Sequence, residues 1–344
     1  MQSKLLITGV NGYLGLHMVI QGLKKGYAIR GTVRSQDKAN ECLSNLKRLL
    51  PEQHLRNFEM AIVDLAEPAG WDQAIKGCDA IMHLACPLET SSRNEKKTMV
   101  KTVRDGIKHI FAAALRQNVT RVIYTSSVAA VMFGHNAFKP YYTERDWTDP
   151  TGKPNTDYTV SKTLAEQDAW DFASRYSKLR LTALLPGLVL GPVNNKINFS
   201  TGLVLSLMNG AFSKGIINRD FPIIDVRDVV SAHFSALNHD RSIGERIMLA
   251  GHCVSMREMA EALCSLSPQH KFAINRNVIP SWQLKFLCLF SKPLRQLAME
   301  ADVTRTFCNN KAEDLLHLHH RSPRDSLIAT AEDLIRLGLT RTSS

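Results

Sequence analysis

Short apolar runs alternate with longer segments of helical periodicity along the first half of the chain. "KLLITGV" (4–10) and "AIRGTVR" (28–34) are β-branched and apolar, and residues 14–25 between them read as a helix, the layout of a βαβ unit. Further strands are predicted at "FEMAIVDL" (58–65), "AIMHLA" (80–85), "RVIYTSS" (121–127) and "RLTALLP" (180–186). Among the intervening helices, residues 97–117 repeat apolar positions at steps of three and four. Such alternation predicts an α/β fold built on a doubly wound parallel sheet.

After Pro186 the rhythm changes. "GLVLGPVNN" is rich in turn residues, a helix is predicted over 202–209, and "FPIIDVRDVVSAHFSAL" reads as a strand running into a helix. Helices at 255–265, 281–290, 309–316 and 323–338 follow among short strands. The predicted organisation is a dinucleotide-binding domain over 1–190, with 221–240 returning to it, and a smaller mixed α/β substrate lobe formed by 191–220 and 241–344. No repeat, low-complexity tract or evident linker separates the two.

Composition narrows the function classes. A chain of 344 residues, 44% hydrophobic and 22% charged, is in the range of soluble globular proteins. The formal net charge of +11 attracts anions, but no basic tract interleaved with aromatics points to nucleic acid. The seven cysteines (42, 78, 86, 253, 264, 288 and 308) are scattered with no CxxC pair, so reduced thiols in the cytoplasm are expected. The apolar run in "MQSKLLITGVNGYLG" is too short for a signal peptide. "IPSWQLKFLCLF" (279–290) carries Lys285 and falls short of a membrane span, which leaves a pocket lid or a partner surface as its role.

"TGVNGYLG" places Gly9, Gly12 and Gly15 between the first strand and the first helix. Gly9 permits the tight turn, Gly12 admits a pyrophosphate against the backbone, and Gly15 lets the helix pack closely on the sheet; the helix N-terminus then faces the phosphates. This Rossmann-type context is what the motif requires. About 20 residues further on, an NAD site carries an acidic residue for the ribose 2′-hydroxyl. Arg34 stands there instead, its planar donor fork suited to the 2′-phosphate of NADP, with Lys38 to help. Asp64, at the end of the third strand, either accepts a hydrogen bond from adenine or caps the next helix.

"TDYTVSKTLAEQ" (156–167) opens a helix that sets Tyr158 and Lys162 on one face, four residues apart. A free phenol titrates near pH 10, and an adjacent cation is expected to lower that value toward neutral pH. In order along the chain, "TGVNGYLG", "HLA" (83–85), "YTSS" (124–127), "YTVSK" (158–162), "LLPGLVLGP" (184–192) and "IDVRDVVSAH" (224–233) resemble the motifs of extended short-chain dehydrogenase/reductases. "SKTLAEQDAW" is similar to the dihydroflavonol reductase-like branch, which holds plant flavonoid reductases and fungal carbonyl reductases. The resemblance covers most of the chain.

It implies that Tyr158 is the general acid, Lys162 its electrostatic partner and a ligand of the nicotinamide ribose, and Ser127, rather than Ser126, the hydroxyl that holds the substrate carbonyl. It also implies NADP(H) as cofactor and brings Asn11, Tyr13, Leu14, Leu65, Ala85, Thr125 and Pro186 into the cofactor site, with Gly187 beside Pro186. Dihydroflavonol reductases carry a polar amide five residues after the active-site serine. Met132 stands there, which argues against a flavonoid substrate.

Met132, Phe133, Phe199 and Leu203 are expected to line an apolar pocket for a ketone or aldehyde, apolar or aromatic in character. Alternatives are a nucleotide-sugar epimerase or dehydratase, a sterol dehydrogenase, or a nonenzymatic NADPH-binding regulator. Retention of Ser127, Tyr158 and Lys162 together speaks against the last. "HLHH" (317–320) reads as a surface loop and not a metal site, Asp225 and Asp228 as residues of a strand-to-helix junction, and His83 as a satisfied core histidine. No metal is expected, and the chain is expected to act as a monomer or homodimer.

Overall fold

Strand β1 (Lys4–Thr8) enters the glycine turn, helix α1 (Tyr13–Lys24) returns the chain, and β2 (Ala28–Val33) pairs in parallel with β1, Leu5 opposite Ile29. The protein is described by a computed structural model covering residues 2–87, 93–135, 139–194, 196–266, 272, 274–289 and 300–341. The next elements are α2 (Gln36–Leu49), α3 (Glu52–Leu55), β3 (Phe58–Ile62), α4 (Trp71–Ile75), β4 (Ala80–His83), α5 (Arg93–Arg116) and β5 (Arg121–Thr125). After β6 (Tyr141–Tyr142) come α6 (Asp157–Arg175) and β7 (Arg180–Pro186).

β8 (Leu188–Leu190), α7 (Phe199–Met208), β9 (Asp220–Asp225) and α8 (Val226–Asn238) lead to β10 (Arg246–Leu249). The described chain closes with β11 (His252–Ser255), α9 (Met256–Ser265), α10 (Ser281–Leu287), β12 (Thr306–Phe307), α11 (Asn310–Leu316) and α12 (Pro323–Arg336).

Among the described residues, seven parallel strands form the main sheet in the order β3-β2-β1-β4-β5-β7-β10. Both faces are covered. Leu16 and Val19 of α1, Leu46 of α2, Val229 of α8 and Leu316 of α11 pack on one side. Trp71 of α4, Ile107 and Phe111 of α5 and Ala165 and Ala169 of α6 pack on the other. Burial from both sides is why the strands read as nearly continuous apolar runs, as in β5, where every residue is buried.

A second core forms the smaller lobe, where α7, α9 and α12 bring Leu203, Leu207, Met259, Leu263 and Leu327 together beneath the sheet β11-β9-β8. Three elements differ from expectation. β9 is the centre of this small sheet, although α8 behind it packs on the main sheet. β10, expected in the substrate lobe, is the edge of the main sheet, because the buried "RIML" pairs with Ala183 to Pro186 of β7. Helix α7 begins at Phe199 rather than at 202 because Asn198 and Thr201 form a reciprocal capping box that starts it earlier. Among the described residues, no helix is long and apolar enough to cross a membrane.

The turn after β1 leaves no room for side chains. Gly9 adopts φ +70°, and a Cβ there would meet the Cα of Ala85 at 3.0 Å. A Cβ on Gly15 would lie 2.3 Å from the carbonyl oxygen of Gly9 and 2.8 Å from the Cα of Val10, both backbone atoms. Gly15→Ala is therefore expected to lower the unfolding free energy by about 1–3 kcal/mol, through overpacking, in urea denaturation.

Candidate active site

The crevice at the C-terminal ends of β1 and β4 is where the strand order reverses, the usual place for a ligand in such a sheet. Thr8 ties the two strand ends together. Its hydroxyl accepts from the N–H groups of Leu84 (3.0 Å) and Ala85 (2.9 Å), so it donates to His83 Nδ1 at 2.8 Å. Burial, and then the charge of Lys162, pull the His83 pKa down to about 3, which makes it the neutral core histidine expected.

Helix α1 starts at Gly12 with no side-chain cap and no acid in its first turn, which leaves its N–H groups for an anion. Asn11 and Leu14 lie in the same glycine turn and first helical turn. The Tyr13 ring is buried, edge-on to His17 at 5.3 Å. The next strand end is cationic. Arg34 is exposed and makes no ion pair or hydrogen bond among the described residues, and Ser35 caps α2 immediately after it. Lys38 is engaged with Glu41 at 2.9 Å. Asp64 is exposed and accepts from the N–H of Ala66 at 2.9 Å, a local turn, while Leu65 packs against Gly106 of α5. A glycine cradle that any Cβ would fill, an uncapped helix start and a free arginine at the second strand fit a phosphorylated dinucleotide.

The reaction centre is assembled from α6, β5 and β7. Thr156 and Thr159 form a capping box that starts α6 and sets Tyr158 in its first turn. The buried Lys162 donates from Nζ to the carbonyl oxygen of Thr125 at 2.8 Å and stands 5.4 Å from the ring centre of Tyr124. The Ser127 hydroxyl lies close enough to the Tyr158 phenol to act on its pKa. Ser127 also accepts from the N–H of Ala129 at 3.1 Å and lies 3.5 Å from the carbonyl of Pro186, which ends β7. The Thr125 hydroxyl donates to His233 Nε2 (2.7 Å), because His233 Nδ1 is committed to the carbonyl of Val229 (2.7 Å).

The electrostatics differ from the expected lowering by Lys162. Burial raises the Tyr158 pKa, the Cys86 charge raises it further, and the nearby Ser127 hydroxyl pulls it down only in part. The phenol is therefore protonated at neutral pH, the form an acid needs.

A buried carboxylate fixes the serine strand. Glu166, on α6 below Lys162, is wholly enclosed and accepts from Ser126 Oγ (2.5 Å), Trp170 Nε1 (3.2 Å) and Arg246 Nε (2.6 Å). Arg246 reaches it from β10, donates to the carbonyl of Asp146 at 2.9 Å and stacks on Trp147 at 3.6 Å. Ser126 is thus spent on Glu166, and its neighbour Ser127 faces Tyr158.

Residues 5–251 match the NAD dependent epimerase/dehydratase family. The chain belongs to that family. Similar members include an anthocyanidin reductase of Vitis vinifera, 30% identical over 80% of this chain and 84% of that one. Cinnamoyl-CoA reductase 1 of Arabidopsis thaliana is 28% identical over 97% and 95% of the two chains. Among solved structures, the yeast methylglyoxal/isovaleraldehyde reductase complexed with NADPH superposes with a TM-score of 0.79 at 25% identity, over 97% of this chain and 99% of that one. The family and the reductase-type relatives bear out the resemblance seen in the motifs.

Within this epimerase/dehydratase-family fold, the expected pocket residues are not gathered on one surface. Met132 is buried in the core beneath α5 and α6, with Phe133 packed half-buried against it. Leu203 lies in the core of the smaller lobe, and Phe199 is 61% exposed at the start of α7. On α10, Leu284 is buried and Trp282 and Phe286 are exposed; Phe290 lies outside the described residues.

Asp225 caps α8 and binds Arg227 through two hydrogen bonds of 2.8 Å, while Asp228 accepts from the N–H of Arg321 at 2.7 Å. His317 and His319 are exposed, and no metal-binding group of side chains occurs among the described residues. Sequence reasoning missed Glu166, Arg246, Thr8, His233 and Cys86. Glu166 stood in a quoted motif, but its partner Arg246 is remote in sequence.

Two outcomes follow from these contacts. Ser126→Ala is expected to cost about 1–3 kcal/mol of unfolding free energy by leaving a lone pair of a buried carboxylate unpaired, whereas Ser127→Ala is expected to change stability by less than about 1 kcal/mol; urea titration compares them. Burial holds His233 neutral in the folded chain, with a pKa of about 4, although its Val229 bond pulls the other way. The unfolded chain takes up that proton first as pH falls, so the stability this histidine supplies is present above about pH 6.5 and lost down to about pH 4. In His233→Gln, the fall in stability over that window is expected to be shallower, by at most about 1.4 kcal/mol per pH unit.

Proposed function

We propose that the protein is an NADPH-dependent reductase of a ketone or aldehyde, with Tyr158 as proton donor. The observation that carries this reading is the convergence at the end of β5, where the buried Lys162 is anchored to the Thr125 carbonyl at 2.8 Å and the Ser127 hydroxyl neighbours the Tyr158 phenol, beside the end of β4 against which Gly9 packs. Bound NADPH supplies a hydride to the carbonyl carbon. Ser127 holds the carbonyl oxygen by a hydrogen bond, and the Tyr158 hydroxyl proton passes to that oxygen as its charge develops. Lys162, on the same helical face, stabilises the phenolate left behind and bonds the nicotinamide ribose.

Gly9, Gly12 and Gly15 take the pyrophosphate, Arg34 and Lys38 the 2′-phosphate, and Asp64, Leu65, Ala85, Thr125 and Pro186 complete the cofactor site. The phenol is protonated at neutral pH, as a donor must be, but burial makes it a weaker acid, so its proton transfer depends on Lys162 and Ser127 stabilising the charge left behind. We further propose that the main sheet of residues 1–190, with the returning α8 and β10, holds the cofactor, and that the smaller lobe closes over an apolar or aromatic substrate. The relatives named for aldehyde and flavonoid reduction support a small carbonyl compound as the substrate class. Scattered free cysteines fit a reducing, cytoplasmic compartment, and a monomer or homodimer is the proposed state.

NADPH absorbance followed with a panel of aromatic and aliphatic ketones and aldehydes tests the proposal. At least one substrate is expected to be reduced, and Tyr158→Phe is expected to cut kcat by about 100-fold or more. Undiminished turnover in Tyr158→Phe would overturn the role of Tyr158.

A further inference from the structure

Between β8, in the small sheet, and α7 the chain runs as a strap, and that strap is held at both sides. On the lobe side, the Gly191 N–H donates to Thr330 Oγ1 (2.8 Å), the Thr330 hydroxyl returns to the Gly191 carbonyl (3.0 Å), and the Val193 N–H donates to the carboxylate of Asp333 (2.7 Å). On the cofactor side, His17, one turn into α1, donates from Nε2 to the carbonyl of Pro192 at 2.8 Å. A strap anchored this way presents its next ionic side chain, Lys196, in a fixed place.

Lys196 pairs with Glu41 of α2, and its side chain is only 19% exposed. The other oxygen of the same carboxylate accepts from Lys38 at 2.9 Å. The two lysines hold the Glu41 pKa below the ordinary carboxylate value, Lys196 contributing more. Lys196 also lies close enough to Cys42 to act on its thiol, and Cys42 Sγ donates to the carbonyl of Val10, inside the glycine turn, at 3.6 Å. The ammonium therefore sits beside the first turns of α2, next to Cys42, which itself reaches the glycine turn; α2 follows directly on the strand end that carries Arg34.

We propose that Lys196 is a specificity-determining residue for the ribose 2′-phosphate of NADPH, acting with Arg34 and Lys38 but supplied from the strap rather than from the dinucleotide-binding βαβ unit. The inference rests on the NADPH reading above. Glu41 holds both ammonium groups side by side in the free protein, and a phosphate dianion entering beside them competes for both. A nucleotide without that phosphate gives Lys196 nothing in exchange for Glu41.

Calorimetric titration with 2′,5′-ADP and with 5′-ADP, and with NADPH and NADH, tests this without turnover. Lys196→Met is expected to weaken 2′,5′-ADP and NADPH about tenfold, the loss of one charge-assisted hydrogen bond at a partly exposed site, and Lys196→Arg to restore most of it. Binding of 5′-ADP and NADH is expected to stay within about twofold, which a merely structural strap contact would not predict.

Equal losses for the phosphorylated and unphosphorylated ligands would overturn the inference. So would full retention of the NADPH preference in Lys196→Met while Arg34→Ala loses it, a result that leaves the NADPH reading standing. A wild-type chain that binds NADPH and NADH equally would overturn both.

Discussion

The buried pair between Glu166 and Arg246 is the contact on which the reaction centre depends. Glu166 belongs to the helix that carries Tyr158 and Lys162, Ser126 to the strand that carries Ser127, and Arg246 to the far edge of the sheet. One carboxylate thus fixes the helix against the sheet in a single register. Two desolvated charges stabilise little by themselves, but removal of either partner strands the other in a low-dielectric interior and costs about 3–5 kcal/mol. Such a pair defines geometry more than it adds stability, and a site that sets a phenol and an ammonium from one helix beside a hydroxyl from a strand end needs geometry.

Around this pair the centre is populated by groups kept neutral by burial. His83 and His233 are held far below their ordinary titration range, and both serve as hydrogen-bond acceptors for threonine hydroxyls at strand ends. Thr8 and Thr125 then pass that order to the backbone, Thr8 by binding the N–H groups after β4 and Thr125 through the carbonyl that receives Lys162. The nearby cation is consequently held by a backbone dipole, in position and without a counter-carboxylate within hydrogen-bond reach among the described residues. Low polarisability of the surroundings makes its field on a developing phenolate stronger than it would be in water.

Much of this was legible in residue order, and the rest was hidden for identifiable reasons. The parallel strands were visible because helices cover both faces and force apolar residues at every position, and the glycine turn because backbone contacts near 2.3 Å from a would-be Cβ tolerate no other residue. Spacing placed Tyr158 and Lys162 on one face. It said nothing of where the lysine chain ends, and the ammonium runs to Thr125 while burial governs the phenol.

β10 was obscured because "RIML" is short and begins with arginine, a residue whose burial makes sense only once Glu166 is opposite it. The pocket residues were the least legible, since an apolar side chain such as Leu203 looks the same in sequence whether it lines a cavity or fills a core.

The placement of β10 also bears on the order in which the protein can be made. Ser127, Tyr158 and Lys162 leave the ribosome well before residue 246, with the strap, α7 and β9 emerging in between. Until Arg246 arrives, Glu166 is a carboxylate awaiting its cation in a half-built sheet whose last strand edge, β7, is open. The nascent chain therefore carries Ser127, Tyr158 and Lys162 for about 80 residues of synthesis before the strand that supplies the buried counter-charge of α6 exists.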